Sequence, residues 1–505
     1  MSAEDHDDDF DRAAAEALRR GLDEQARRLA PASIAAVCAG GRVRAALTHG
    51  TPRDDSAPTT PDTVFRIASM SKSFLSAAVL VLRDRGLIDL HAPITRYVPY
   101  ARARYGGEDA AMTGDLLLSN RAGLGEDNAW ADRHLGDSRS EIAALFDGGV
   151  RLSARPGTTY QYSNLGQALL GRAVESVTDG TVEDVVRELL LEPLGLTRTA
   201  YVADGYAPED LARGYRTFDG GATFAPEPLV GSGALACIGS MFSTVGDIAV
   251  WMDFLGSAFG AHPVRPDVLA AESRRELQQA HTPIPLQPGA DGGQPLAGSG
   301  YGYGLVVEDD RRFGRIVQHS GGLPGFSSHM RWHVATGTGV VAFGNSDEFG
   351  ARRVATTALA AVLEAIDAPA AVVRPWPATV DAARAIDAAL VAGRGTAQFP
   401  FLADNVLRDV PVEVRDSRLA ACRTRVGGVR AHQEPFESRV ITAGTEAALR
   451  WRIKGEDGDL HVELRMIGLP EPRVQSLTVS AVEPGARVPE GQPEGAEENH
   501  RVERS

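Results

Sequence analysis

Strand-like segments lie near both ends of the first 366 residues and are separated by a long helical, loop-rich middle; this distribution constrains the fold more than any other feature of the chain. Near the start, "SIAAVCAG" and "GRVRAALTHG" are two alternating apolar runs broken at Gly40-Gly41, the signal of a β-hairpin. Strand character returns between residues 301 and 345 as "YGYGLVVEDD", "RFGRIVQHSGG", "SSHMRWHVA" and "TGVVAFGNSD", each bounded by glycine or polar turns. The next stretch, "GARRVATTALAAVLEAI", has an apolar face at helical spacing. Strands at both ends with helices between them predict an α+β domain: one antiparallel sheet assembled from distant parts of the chain, flanked by helices and carrying an inserted helical region.

That domain is expected to span residues 1–366. Residues 367–380, "DAPAAVVRPWPATV", concentrate proline, break the periodicity and read as a linker. Beyond it, roughly 381–409 look helical. Residues 438–482 hold strands such as "ALRWRIKG", "LHVELRMIG" and "VQSLTVSA". A small α+β domain over 381–482 follows, with the curved-sheet cone of the NTF2-like fold as the expected form. The Pro/Gly/Glu-rich tail 483–505 is expected to be disordered.

The formal net charge is −15, which disfavours nucleic acid and anionic membrane surfaces as partners, because both need a basic footprint. Cys38, Cys237 and Cys422 are an odd, widely spaced set, which argues against a disulfide framework or a zinc cluster. The acidic start "MSAEDHDDDFDRAAAEALRRGLDEQARRL" lacks the basic n-region and apolar h-region of a secretory signal, and no apolar run reaches about 18 residues. A cytoplasmic location is the simplest expectation.

Only two of the 52 basic residues are lysine, and one of them stands in "FRIASMSKSF". Arginine stays protonated at any workable pH, whereas a lysine desolvated in a pocket can lose its proton and act as a base. Ser69 lies three residues before Lys72, on the same face of a helix, so its hydroxyl and the amine can meet within one turn. That is a nucleophile beside its activator. With 28 serines and two lysines, an accidental Ser-x-x-Lys is expected roughly 0.1 times per chain, so the motif is suggestive by itself and not decisive. "FLSAAVLVLRDRGLIDL" continues as a strongly apolar helix, predicted to be buried between layers, with Ser69 at its opening near the N–H groups of the first turn.

Two further stretches offer the remaining parts of such a site. In "PGTTYQYSNLGQALLGRAVE", Tyr162 and Asn164 flank a serine just before a helix; a phenol can relay protons and a carboxamide can both donate and accept. The competing explanation is an asparagine capping the helix over a packed tyrosine. In "VQHSGGLPGFSS", a strand ends in His319, and the small residues after it, Gly321 and Gly322 among them, let a substrate backbone approach the strand edge. An isolated histidine there would more simply be a surface-strand residue. The occurrence of Ser-x-x-Lys, Tyr-x-Asn and His-x-Gly in that order, each in suitable local context, requires independent accidents to multiply.

These residues resemble the beta-lactamase-related serine hydrolase superfamily, the penicillin-recognising enzymes. The branch concerned holds D-alanyl-D-alanine carboxypeptidases, D-aminopeptidases, class C beta-lactamases and related esterases. The resemblance covers about residues 20–366 and extends to "LLLSNRAGL", "EPLGLTRT" and "GSMFSTVGDIAVWM". It implies the beta-lactamase/transpeptidase-like sheet, with Ser69 as nucleophile, Lys72 as its base and Tyr162 as second acid/base. Asn164, His319 and Gly321 would bind substrate, and the backbone N–H groups of Ser69 and Gly322 would form the oxyanion hole. The third motif opens with histidine where many relatives have lysine, a weaker cation near neutral pH, which counts against firm recognition of a β-lactam or peptide carboxylate. The start of the chain likewise counts against cell-wall work. The expectation is a serine hydrolase that forms an acyl-enzyme on a small ester or amide, such as a D-amino-acid amide, with no metal or cofactor. The alternatives are a non-catalytic binding or regulatory protein on the same fold, or a DD-carboxypeptidase or beta-lactamase. Trp130, in "GLGEDNAWADRH", either walls the acyl pocket or packs as loop ballast.

Overall fold

The computed structural model describes residues 3–53, 57–286, 296–368 and 373–482. The chain divides into two compact units, Met1–Ala371 and Val372–Ser505.

In the first unit, β1 (Ala32–Ala39) and β2 (Arg42–Gly50) form the expected hairpin. Gly40 and Gly41 both take positive φ (57° and 69°), the geometry that a two-residue turn matched to strand twist demands. The later strands are β3 (Thr282–Pro283), β4 (Leu296–Tyr301), β5 (Val306–Asp310), β6 (Gly314–Leu323), β7 (Phe326–His333) and β8 (Gly339–Gly344). They join the hairpin in one antiparallel sheet of order β3-β4-β5-β6-β7-β8-β1-β2. The closing pair is β8 on β1, with Val37 opposite Val340 and Ala35 opposite Ala342. "YGYGLVVEDD", read as one strand, is two: Gly304 at φ +68° turns the chain between β4 and β5.

Helices cover both faces of the sheet. Along β1, Ile34, Ala36 and Cys38 point into one core, while Ala35 and Val37 point into the other. This two-sided burial explains why the strand is apolar throughout instead of strictly alternating. The second core is closed by α1 (Ala3–Gly21) and α5 (Ala351–Ala365). The first and larger core lies under the inserted helical region, which contains α2 (Ser71–Asp84), α3 (Asn164–Val177) and α4 (Val245–Gly256). Every residue of α2 from Ser71 to Leu82 is buried, as expected for a helix apolar all round and sandwiched between layers. This is the antiparallel, helix-flanked sheet of the beta-lactamase/transpeptidase-like fold.

The second unit contains α6 (Pro377–Val391), α7 (Asp404–Asp409) and α8 (Val412–Arg425), then a four-stranded antiparallel meander, β9 (Val440–Thr445), β10 (Ala448–Lys454), β11 (Asp459–Ile467) and β12 (Arg473–Val482). Its own core is built on Trp451, Ile453, Leu460, Val462 and Ile386. One part of the linker reading is corrected. Residues 377–380 are helical, because Pro377 stands in the first turn of α6, where a missing N–H costs nothing. Helix α8 lies beyond the span expected to be helical, its mixed charged sequence burying only Leu419. The tail 483–505 lies outside the described residues. No helix among the described residues is long and apolar enough to cross a membrane.

Candidate active site

Ser69 sits in a single 3₁₀ turn, Ala68–Met70, that runs directly into α2. Ala68 takes φ +49°, a left-handed conformation that costs a non-glycine residue free energy and persists only where its surroundings enforce it. Three contacts do so here. The Ile67 N–H donates to the Met241 carbonyl (2.8 Å), Ser71 Oγ to the Ala68 carbonyl (2.6 Å) and Ser328 Oγ of β7 to the Ile67 carbonyl (2.7 Å). The sheet also presses close: a Cβ on Gly321 would lie 2.2 Å from both the Ile67 carbonyl oxygen and Ser328 Oγ. Gly321 therefore brings the strand up under the nucleophile turn.

Lys72 is completely buried, with its Nζ 2.9 Å from Ser69 Oγ and 3.0 Å from the Ile238 carbonyl oxygen. Burial pushes its pKa down to about 7, against the opposing attraction of Asp132 and Asp127. Tyr162 shows the opposite behaviour. Burial raises the phenol well above its ordinary value, only partly offset by a hydrogen bond with Ser69. Its ring lies 5.0 Å from Lys72 Nζ. Two titratable groups flank one hydroxyl, and their environments drive them apart: near neutral pH the amine can accept a proton and the phenol can only give one.

Strand β5 pairs with β6 only as far as Gln318, so the end of β6 from His319 to Leu323 runs past its neighbour. His319, Ser320, Gly322 and Leu323 there line a cavity of about 780 Å³ that also contains Ser69, Tyr160, Tyr162 and Tyr301. A Cβ on Gly322 would meet nothing within 4 Å, so this glycine keeps space open beside Ser69. His319 Nδ1–H donates to the Ser320 carbonyl (2.6 Å), leaving Nε2 to accept from the Tyr301 hydroxyl (3.2 Å). Burial and the charge of Lys72 push the imidazole down to about 3. The ring is a neutral polar wall at any physiological pH and not a cation.

The structure thus brings Ser69, Lys72, Tyr162, His319 and Gly322 together. Two expected substrate contacts are placed otherwise. Gly321 faces the nucleophile turn, for the steric reason above. Asn164 is buried outside the cavity wall at the start of α3. Its Nδ2 donates to Asn128 Oδ1 (2.7 Å), and its own Oδ1 has no partner among the described residues. Nor does Asn164 cap the helix; Ser163 does, accepting from the Gly166 N–H, while Asp127 accepts from the N–H groups of Asn164 (2.7 Å) and Leu165 (2.9 Å). Trp130 stacks on His134 at 4.5 Å and packs against the core, which is the ballast role. Other residues of its loop, Glu126, Asn128, Ala129, Asp132 and Arg133, line the cavity. Tyr301, Asn128 and Asp132 were not singled out from the sequence; only "YGYG" hinted at Tyr301, and nothing separated Asp132 from any loop carboxylate.

The arrangement has relatives. The chain matches the Beta-lactamase family over residues 15–364. It is 26% identical to Protein flp of Staphylococcus aureus over 298 residues, 58% of this chain and 55% of that protein, so it spans about half the length of that relative. Identity to Esterase EstB of Burkholderia gladioli is 30% over 305 residues, 54% of this chain and 74% of the esterase. Among solved structures, D-amino acid amidase from Ochrobactrum anthropi SV3 superposes with a TM-score of 0.54 at 27% identity, covering 70% of this chain and 98% of the amidase. With the family match extending over well over half of its length, the chain belongs to the beta-lactamase family of serine hydrolases.

Proposed function

We propose that the protein hydrolyses small esters or amides through an acyl-enzyme on Ser69. The observation that carries this reading is Lys72: fully buried, depressed to about 7 and 2.9 Å from the Ser69 hydroxyl. A neutral amine in that position accepts the serine proton as Oγ attacks the substrate carbonyl. The oxyanion develops against the backbone N–H groups of Ser69 and Gly322. Tyr162 then gives its proton to the leaving group and is reprotonated by Lys72, which resets both. In deacylation, water loses a proton to the same pair, attacks the acyl carbon, and Ser69 Oγ leaves with a proton returned to it. The partner is a small molecule reaching a cavity of about 780 Å³. The esterase and amidase relatives support this substrate range.

A neutral His319 supplies no fixed positive charge for a β-lactam or peptide carboxylate, which weighs against the carboxypeptidase and beta-lactamase alternatives. The test is labelling with a fluorophosphonate followed by intact-mass measurement. The expected result is one adduct on the wild type and none on Ser69→Ala; an unlabelled wild type favours a non-catalytic binding protein. For the base, Lys72→Arg is expected to acylate about as slowly as Lys72→Ala, some 10² to 10⁴-fold below wild type. An arginine variant within about tenfold of wild type would shift the base role to Tyr162. Acylation should rise with pH through about 7, because only the neutral amine is a base.

A further inference from the structure

One stretch of the sequence, "LLLSNRAGL", lies outside the chemistry of Ser69, Lys72 and Tyr162. It closes the short helix Gly114–Leu118, and Asn120 stands there at φ +53°, in the left-handed region, with only 3% of its surface exposed. The Asn120 N–H donates to the Leu117 carbonyl (3.2 Å) and the Arg121 N–H to the Leu116 carbonyl (2.9 Å), which ends the helix. A helix end of this kind asks only for a left-handed backbone, and glycine supplies that without strain. The side chain of Asn120 has a further task.

That task is visible at Tyr162. Residues 160–163 belong to no helix or strand, so no ladder of backbone bonds fixes them, and their N–H groups need partners elsewhere. The two N–H groups flanking Tyr162 both end on Asn120: that of Gln161 donates to the Asn120 carbonyl (2.8 Å) and that of Ser163 to Asn120 Oδ1 (3.2 Å). Alternate N–H groups of an extended segment point the same way, so one residue can receive the pair. Asn120 is itself tied down on both sides. The Ser119 carbonyl accepts from Thr282 Oγ1 of β3 (2.8 Å), and the Arg121 carbonyl accepts from the Gly157 N–H (2.7 Å). Thr282 lies opposite Tyr301 of β4, whose ring meets that of Tyr162 edge-on at 6.1 Å. We propose that Asn120 is the positioning residue of the proton donor: by gripping the backbone on either side of Tyr162, it holds the phenol at the Ser69 hydroxyl, where it can protonate the leaving group. Asn120 does not line the cavity, so it acts on the reaction through Tyr162. The proposal rests on the hydrolase reading above and deepens it.

A displaced acid is felt according to the leaving group. Ethoxide must be protonated as it departs, whereas 4-nitrophenoxide leaves as a stable anion. Asn120→Gly keeps the left-handed turn and deletes only the side-chain acceptor. In that variant the ratio of kcat/KM for ethyl butyrate to that for 4-nitrophenyl butyrate should fall about tenfold or more, a part of the 10² to 10⁴-fold that a positioned acid contributes. Asn120→Asp retains an acceptor oxygen for the Ser163 N–H and should stay close to the wild-type ratio. In Tyr162→Phe the acid is gone, so adding Asn120→Gly should leave the ratio where it is. A role confined to the helix end predicts instead that Asn120→Gly melts at or above the wild-type temperature with its ratio unchanged. An unchanged ratio in Asn120→Gly, a ratio lost as fully in Asn120→Asp, or a further loss in the Tyr162→Phe background overturns the proposal. The hydrolase reading fails separately, if the wild type hydrolyses neither ester. Crystal structures of the wild type and Asn120→Gly then decide the clamp: the Tyr162 hydroxyl is expected to move by about 1 Å or more, a shift of the size that disables a catalytic group, and a hydroxyl left in place overturns the proposal.

Discussion

Lys72 works against the stability of the protein that uses it. Burial holds its folded pKa near 7, while the unfolded chain restores the ordinary value of 10.5, so between those two pH values the unfolded state binds a proton that the native state does not. Stability from this group therefore rises as pH climbs from about 7 to about 10.5, and below pH 7 the full deficit applies. At about 1.4 kcal/mol per pKa unit the deficit is on the order of a few kcal/mol, reduced by the bonds to Ser69 and Ile238. Lys72→Met is accordingly expected to be inactive yet to melt a few degrees higher than wild type at pH 7, the gap narrowing toward pH 10. Thermal melts of both proteins across that range check the sign; a less stable methionine variant at pH 7 would contradict it. The importance of Lys72 was legible in the sequence because lysine is so scarce in this chain. Asp132 was not, because a loop aspartate looks solvated until the cavity around it exists.

At the scale of elements, the third motif divides its labour between two adjacent glycines on β6. Gly321→Ala would drive a methyl group into the Ile67 carbonyl and Ser328 Oγ, both 2.2 Å away, and should cost about 1–3 kcal/mol while displacing the turn that holds Ser69. Gly322→Ala has open space instead and should leave the melting temperature within about a degree, the usual result for a substitution that touches nothing. Its methyl group projects into the cavity beside Ser69, so acylation of a bulky ester should fall well before that of an acetyl ester. Melting curves with acylation rates for the two variants separate these roles; equal destabilisation would refute the division. The chain's motifs marked the pair but not the difference between them, because strand alternation assigns opposite faces only once the sheet and its neighbours are in place. Asn164 makes the same point: its place beside Tyr162 in sequence suggested a shared task, and the start of α3 turned its amide toward Asn128.

At the scale of the whole molecule, each unit has its own hydrophobic core, the first around α2 and the sheet and the second around Trp451. A chain ending at Ala371 is expected to unfold in one cooperative calorimetric transition and to label on Ser69. Aggregation, or a broad transition with no label, would mean that the second unit is needed for the first to fold. Inside the second unit, the buried Asp387–Arg439 pair (2.6 Å) also accepts the Trp451 Nε1–H (3.0 Å) on its carboxylate. Asp387→Ala should cost about 3–5 kcal/mol in chemical denaturation, because it strands a buried guanidinium. What the sequence by itself determined are the properties that depend on near neighbours along the chain: the Gly40-Gly41 hairpin, the apolar α2 with Ser69 and Lys72 one turn apart, the helix α5 and the proline-rich break between units. Tertiary structure alone decided which residues meet across hundreds of positions. Ile238 accepts from Lys72, the end of β6 pairs with β7 but leaves its β5-side edge open beside Ser69, His319 is buried until it is neutral, and Asp132 stands in the cavity wall within Coulomb reach of Lys72. Desolvation and Coulomb interaction depend on distance through space, and the chain order does not encode that distance until the sheet has closed.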